Sequence, residues 1–284
     1  KYFLRFIKQK HPECTTLKGA KKYVNEWLQS RADEELSAWT VQLEAKALGK
    51  LYGIEPDDED YFKPPKRNRE DIKRSRSDCV RDEHFSKTNN DELIKFCRGT
   101  GLRRRELGGL RGKDLVRCEQ IAADAAQLEQ IPEEERAPSV TKRLEMLRDA
   151  MLFPQEWFVH VRNGKGGRER LSPIIGKHAD QIVERIADTP AEEKVWQHIH
   201  TSADIHGYRA EYATAIYKAH ARAIEDIPYD KVNRGTGRRY QSEVYTCRKD
   251  EAGRKLDKAA MLVCSKALGH NRISVVADNY IRGL

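Results

Sequence analysis

Two apolar runs, Glu156-Trp157-Phe158-Val159-His160-Val161 and Glu169-Arg170-Leu171-Ser172-Pro173-Ile174, flank the stretch Asn163-Gly164-Lys165-Gly166-Gly167. Strand-forming segments so close in sequence, with Asn-Gly between them, can pair only as a tight antiparallel hairpin. Nearly everything else in the chain is patterned at helical spacing. A hairpin set among helices predicts a mainly α fold with a small β-sheet, the α+β class.

The helical pattern begins at once. Tyr2, Phe3, Phe6 and Ile7 form a stripe that breaks at His11-Pro12. Ala20, Tyr23, Val24 and Trp27 recur after a cap at Thr15 or Thr16. Ser37 or Thr40 opens a third helix through Leu43, Ala47, Leu48 and Leu51, ending at Gly53. An acidic patch (Glu55, Asp57 to Asp60) then gives way to Lys63-Pro64-Pro65-Lys66-Arg67-Asn68-Arg69. Paired prolines among charges favour an extended segment. The expected organisation is a helical domain over 1–62, a basic linker over 63–87 and a second domain over 88–284. Through Lys66, Arg67 and Arg69 the linker either tracks a phosphate backbone or simply spaces two domains.

The formal net charge of +8 makes nucleic acid the first partner to consider, against the plainer reading of a solvated basic surface. No apolar run approaches the roughly 18 residues of a membrane helix, so no membrane partner is expected. The six cysteines are scattered without zinc spacing, and His198 and His200 lie too close together to share a helix face. Neither a metal nor another cofactor is expected.

In the second domain, Asp91 to Cys97 reads as a helix stopped by Gly99, and Thr100-Gly101-Leu102-Arg103-Arg104-Arg105-Glu106-Leu107 as a turn opening a short helix. Arg103 at its first turn adds a guanidinium to the positive end of the helix dipole. In isolation, the three arginines read as a basic surface. Residues 117–155 read as a helical excursion on the surface. Asp204 and its neighbours cap a helix from Ile205 to about Ala223, on which His206 and Arg209 are neighbours at i, i+3. A basic loop with Arg238 and Arg239 and a second hairpin around Asp250 to Gly253 follow. After Leu268-Gly269-His270, the stripe Ile273, Val276, Ala277, Tyr280 turns the Tyr280 phenol inward.

Taken in order, Thr-Gly-Leu-Arg-x-x-Glu-Leu, a Gly-Lys-Gly hairpin, His-x-x-Arg, Leu-Gly-His and Tyr resemble the tyrosine recombinase (phage integrase) family over about residues 88–284. The helical segment before them is similar to that family's core-DNA-binding domain. The resemblance implies a site-specific DNA recombinase, the integrase of a mobile element, that cleaves and rejoins duplex DNA through a 3′-phosphotyrosyl intermediate without metal or nucleotide. It implies Arg103, Lys165, His206, Arg209, His270 and Tyr280 as catalytic residues, with Tyr280 the nucleophile. It also implies a homotetramer assembled on DNA, accessory excision or DNA-bending proteins, and a nucleoid-associated, cytoplasmic setting. Chemically, two guanidiniums suit the charge that develops on non-bridging oxygens. His206 is the candidate base, Lys165 the candidate acid, and His270 a hydrogen-bonding group for a phosphate oxygen. Glu106 is expected to orient its helix neighbours. Tyr280 is expected at the edge of the cleft, on a helix docked by Ile273 and Val276.

The segments 117–155 and 223–260 lengthen the spacing between motifs beyond the compact family pattern and are expected to be surface insertions. A type IB topoisomerase shares the implied chemistry, and a catalytically silent DNA-binding protein could share the fold.

Overall fold

A computed structural model of the protein describes residues 1–67, 85–227, 242–248, 251–270, 272–281 and 283. It combines many helices with small antiparallel sheets, a broad α+β architecture. The chain divides into two compact units, Lys1–Arg74 and Ser75–Leu284.

The first unit is helical. Helices α1 (Tyr2–Lys10), α2 (Val24–Asp33) and α3 (Ala38–Tyr52) enclose Phe3, Ile7, Val24, Trp27, Leu28, Ala45 and Leu48. Of the stripes read from sequence, Phe3, Ile7, Val24 and Trp27 meet in this core, but Tyr2 is exposed and α3 buries Val41, Ala45 and Leu48 while the expected Leu43, Ala47 and Leu51 face solvent. Ser37 caps α3 by accepting the Thr40 N–H at 3.3 Å, and Gly53 closes the helix. The Pro-rich passage, as far as it is described, lies against α3. Gln42 Nε2 donates to the Pro65 carbonyl at 3.0 Å, and the Arg67 guanidinium lies 5.6 Å from the centre of the Trp39 ring.

In the second unit, α4 (Asp91–Thr100) runs straight through Gly99, which the sequence reading had as its end. A Cβ at Gly99 would lie 2.3 Å from Ile182 Cδ1, so this glycine admits a neighbouring helix. The stop is Gly101, at φ +59°, a left-handed conformation that glycine adopts without steric cost. Next come α5 (Arg104–Leu107), β1 (Leu115–Arg117), α6 (Cys118–Glu129), α7 (Pro138–Ala150), β2 (Trp157–Val161) and β3 (Arg170–Pro173). The predicted hairpin is β2–β3, with Val159 opposite Ser172 and Val161 opposite Arg170. Strand β1, absent from the sequence reading, pairs with the other edge of β2. Then follow α8 (Ala179–Ala187), α9 (Ile205–His220), β4 (Val244–Thr246), β5 (Lys255–Asp257), α10 (Lys258–Ala267) and α11 (Ile273–Asn279).

Alternation along β2 and β3 sends side chains to two cores. Phe158 and Leu171 join one, and Val159, Val161 and Ile174 join the other. Helix α9 crosses both: Ile205 and Tyr208 are in the second, while Tyr212, Ala213 and Ile216 are in the first. A helix packed into two cores is a rigid mount for the residues near its start.

The 117–155 excursion is not a surface appendage. Ile121, Ala125, Leu144, Leu147 and Ala150 share one core with α9, α10 and α11. Its helices pack against each other through their apolar faces, and α7 also packs against β3. Met151, just after α7, is exposed.

Candidate active site

Glu106 is the hub from which the site is built. Its carboxylate Oε2 accepts the Arg103 backbone N–H at 2.8 Å and Arg170 Nη2 at 2.8 Å. Its Oε1 accepts Arg103 Nη1 at 2.7 Å and Arg170 Nη1 at 3.0 Å. Burial alone would push this carboxyl up. The Arg170 hydrogen bonds and charge, the Arg209 charge and the Arg103 N–H outweigh that effect and hold it well below the usual carboxylate range. The result is an ionised, four-fold satisfied acid that holds Arg103 in a single pose. Its expected role as an orienting residue is the one the geometry gives it.

Arg104, read as a surface arginine, is turned inward. Its guanidinium donates to the carbonyls of His200 at 2.8 Å, Thr201 at 3.0 Å and Ala203 at 2.7 Å. These bonds fix the loop that leads into α9, whose cap is Asp204 accepting the Gly207 N–H at 2.9 Å. The first turn of α9 carries His206 and Arg209. Although neighbours in spacing, they differ in surroundings: His206 is exposed, whereas Arg209 is 1 % exposed.

Arg209 Nη1 donates to the Gly101 carbonyl, Nη2 to the Leu268 carbonyl at 2.6 Å, and Nε to the Tyr280 hydroxyl at 3.3 Å. Burial, followed by the nearby Arg170 charge, pulls this guanidinium down to about 10, so it remains cationic at neutral pH. Arg103 reaches the same place from the other side. Its Nη2 is 3.5 Å from both the Leu268 carbonyl and His270 Nε2.

His270 follows Leu268-Gly269 at the end of α10, and its backbone is pinned both ways by Ser265. The His270 N–H donates to the Ser265 carbonyl at 2.8 Å, and Ser265 Oγ donates to the His270 carbonyl at 2.9 Å. Burial and the charges of Arg209, Arg103, Arg170 and Lys165 pull the imidazole down to about 3. It is therefore neutral at physiological pH. His270 Nε2 lies 3.3 Å from the Tyr280 hydroxyl. Nε2 accepts the phenol's hydrogen in one imidazole tautomer and donates to its oxygen in the other.

Tyr280 departs from expectation in one respect. It is 5 % exposed and belongs to the core cluster rather than the cleft edge. Helix α11 docks through Val276 and Ala277, with Ile273 only partly covered, which rotates the end of the helix inward. The His206 ring meets the phenol edge-on, with centroids 5.4 Å apart. Lys165 is exposed on the β2–β3 turn, whose base is closed by the Gly164 N–H donating to the Arg168 carbonyl at 2.8 Å.

A cavity of about 340 Å³ opens onto Arg103, Arg104, His206 and Arg209. Three arginines line it against one carboxylate, that of Asp204, so the charge balance favours an anion. Among the described residues, no group of His, Cys, Asp and Glu could hold a metal ion, and no helix is long and apolar enough to cross a membrane.

The structure thus brings Arg103, Arg209, His270, Tyr280 and His206 together, and sets Lys165 on the adjoining turn. Of the candidate DNA contacts, Lys66 and Arg67 are exposed, while Arg69, Arg238 and Arg239 lie outside the described residues. Arg170 was not anticipated. Its strand alternation with Ser172 placed it on an inward face, but nothing local to it named Glu106 as its partner. Comparisons with protein-family models, curated proteins and solved structures found no match.

Proposed function

We propose that the chain is a site-specific DNA recombinase of the tyrosine type, cutting and rejoining DNA with Tyr280 as nucleophile. The observation that carries this reading is the Tyr280 hydroxyl, 3.3 Å from Arg209 Nε and 3.3 Å from His270 Nε2, beside a cavity walled by Arg103 and Arg209. A buried tyrosine that only fills a core has no need of a guanidinium and an imidazole at its hydroxyl.

The chemistry follows from those positions. The phenolic oxygen attacks phosphorus while its proton passes to an imidazole. His206 is the base suggested by the sequence, and neutral His270 is the imidazole already within reach. Charge that develops on the non-bridging oxygens meets Arg103 and Arg209, which bind it more tightly than the ground-state diester. The 5′ oxygen leaves with a proton from Lys165 on its exposed turn. A 3′-phosphotyrosyl bond replaces the P–O5′ bond, so the later attack of a 5′ hydroxyl needs no external energy. In this reading residues 88–284 form the catalytic domain and the helical first unit a DNA-binding one. Four copies assembled on DNA, with accessory bending or excision proteins, complete the reaction. An exposed, basic linker segment with Lys66 and Arg67 is consistent with a polyanionic partner.

The test is covalent capture. A pool of duplexes randomised around one 5′-bridging phosphorothiolate should give a protein–DNA adduct that survives detergent, maps to Tyr280 and disappears in Tyr280→Phe. An adduct that persists in Tyr280→Phe would overturn the assignment. Relaxation of any supercoiled plasmid without a preferred site would move the reading to a topoisomerase. Duplex binding with no adduct would leave a silent DNA-binding protein.

A further inference from the structure

The segment between His206 and His270 contains the β4–β5 hairpin, which the catalytic reading leaves without a task. Its turn is tightly closed: the Cys247 N–H donates to the Arg254 carbonyl at 2.7 Å, and the Gly253 N–H to the Cys247 carbonyl at 3.2 Å. That closure turns two charged side chains towards the stretch that follows Tyr280. Arg254 Nη1 donates to the Ile281 carbonyl at 2.8 Å, and Glu251 Oε1 accepts the Gly283 N–H at 3.0 Å. The two side chains lock each other, with Arg254 Nη2 donating to Glu251 Oε2 at 3.0 Å, and each is less than a fifth exposed.

On its other side Tyr280 is held by α11, through its own N–H and that of Ile281, which donate to the Val276 carbonyl at 3.0 and 3.1 Å. The nucleophile's backbone is therefore gripped from before by a one-turn helix end and from after by the hairpin. A helix as short as α11 (Ile273–Asn279) has little stability of its own. The hairpin adds a second grip on the chain to the burial of Tyr280 and Ile281 in the core, and so helps to hold the phenol at Arg209 and His270.

We infer that Glu251 and Arg254 are positioning residues for the nucleophile, and that the β4–β5 hairpin is a latch holding Tyr280 in the active site of its own chain. The inference rests on the recombinase reading. Among the described residues, these two hydrogen bonds go to backbone groups of residues 281 and 283, so they fix the path of the chain and do not involve the phenol. A displacement of about 1 Å at a reacting atom is enough to lower a rate on the order of a hundredfold.

The test has two readouts on the full chain, with Arg254→Ala, Glu251→Ala and the conservative Arg254→Lys. Hydrogen–deuterium exchange of the peptide over 273–284 should rise about tenfold in both alanine variants while the α9 peptide keeps its protection. Adduct formation on the phosphorothiolate duplex selected with the unaltered protein should slow by about tenfold or more, with duplex affinity unchanged and partial recovery in Arg254→Lys. Unchanged exchange overturns the latch whatever the activity. Raised exchange with an unchanged adduct rate overturns its positioning role. Failure of the unaltered protein to form an adduct at Tyr280 overturns the recombinase reading, and with it the role assigned to the latch.

Discussion

Arg170 grips both carboxylate oxygens of Glu106, at 3.0 and 2.8 Å, with both side chains almost wholly out of solvent. The same carboxylate orients Arg103, so one buried ion pair sets the pose of a guanidinium at the cavity wall. A buried pair of this kind is costly to break, because the surviving partner keeps its charge without compensation.

Glu106→Gln should therefore destabilise the protein by roughly 3–5 kcal/mol, as read by urea denaturation. The pH dependence has a definite sign. Glu106 is held below its unfolded pKa, so its contribution is complete above about pH 4.3 and is lost as the solution is acidified further. Asp257, held down to about 2 chiefly by the Arg222 hydrogen bonds, acts in the same direction between about pH 4 and 2. Both acid-side slopes should weaken in the corresponding amide variants.

His270 makes a separate contribution. Its imidazole titrates near 3 in the folded chain and near 6.5 when unfolded. Over that window the unfolded chain binds a proton that the native state does not, so stability falls as pH falls from about 6.5 towards 3. His270→Gln should flatten this part of the profile. In proton NMR, the His270 ring signals should stay constant from pH 8 to about 5.

Tyr280→Phe and Arg209→Lys should separate chemistry from packing. The phenylalanine keeps the ring and loses one hydroxyl with its hydrogen bonds, a cost of about 1 kcal/mol, yet adduct formation should cease. Lysine at 209 cannot reach the Gly101 and Leu268 carbonyls and the Tyr280 hydroxyl at once, because it lacks the planar fork. That variant should lose both adduct formation and about 2 kcal/mol or more of stability. Normal stability in Arg209→Lys would show that the three contacts are dispensable to the fold.

Leu147→Ala tests whether the 117–155 segment is part of the domain. Leu147 is 1 % exposed in the core that also holds Tyr280 and Ile281. The truncation should cost about 2–5 kcal/mol in a single cooperative transition. An early, separate melting step with the main transition unshifted would restore the segment to a detachable appendage.

Much of the architecture could be read directly from local pattern. Phe3, Phe6 and Ile7 of the first stripe, the cap at Ser37, the Asn163 to Gly167 turn and the inward face of Tyr280 all follow from local rules of helix and turn geometry. Arg103, His206, Arg209, His270 and Tyr280 became candidates only through the resemblance that the order of their motifs bears to the tyrosine recombinases. Tertiary structure decided what each of them touches. Gly99 admits Ile182 instead of ending α4, Arg104 holds the loop before α9, Arg170 closes on Glu106, and α6 and α7 enter the main core. The reason is distance along the chain. Helix and turn preferences are settled by neighbouring residues, whereas a guanidinium at 170 finds a carboxylate at 106 only after packing has brought β3 beside α5. Chain order made the candidates visible, and burial against distant partners gave each one its environment.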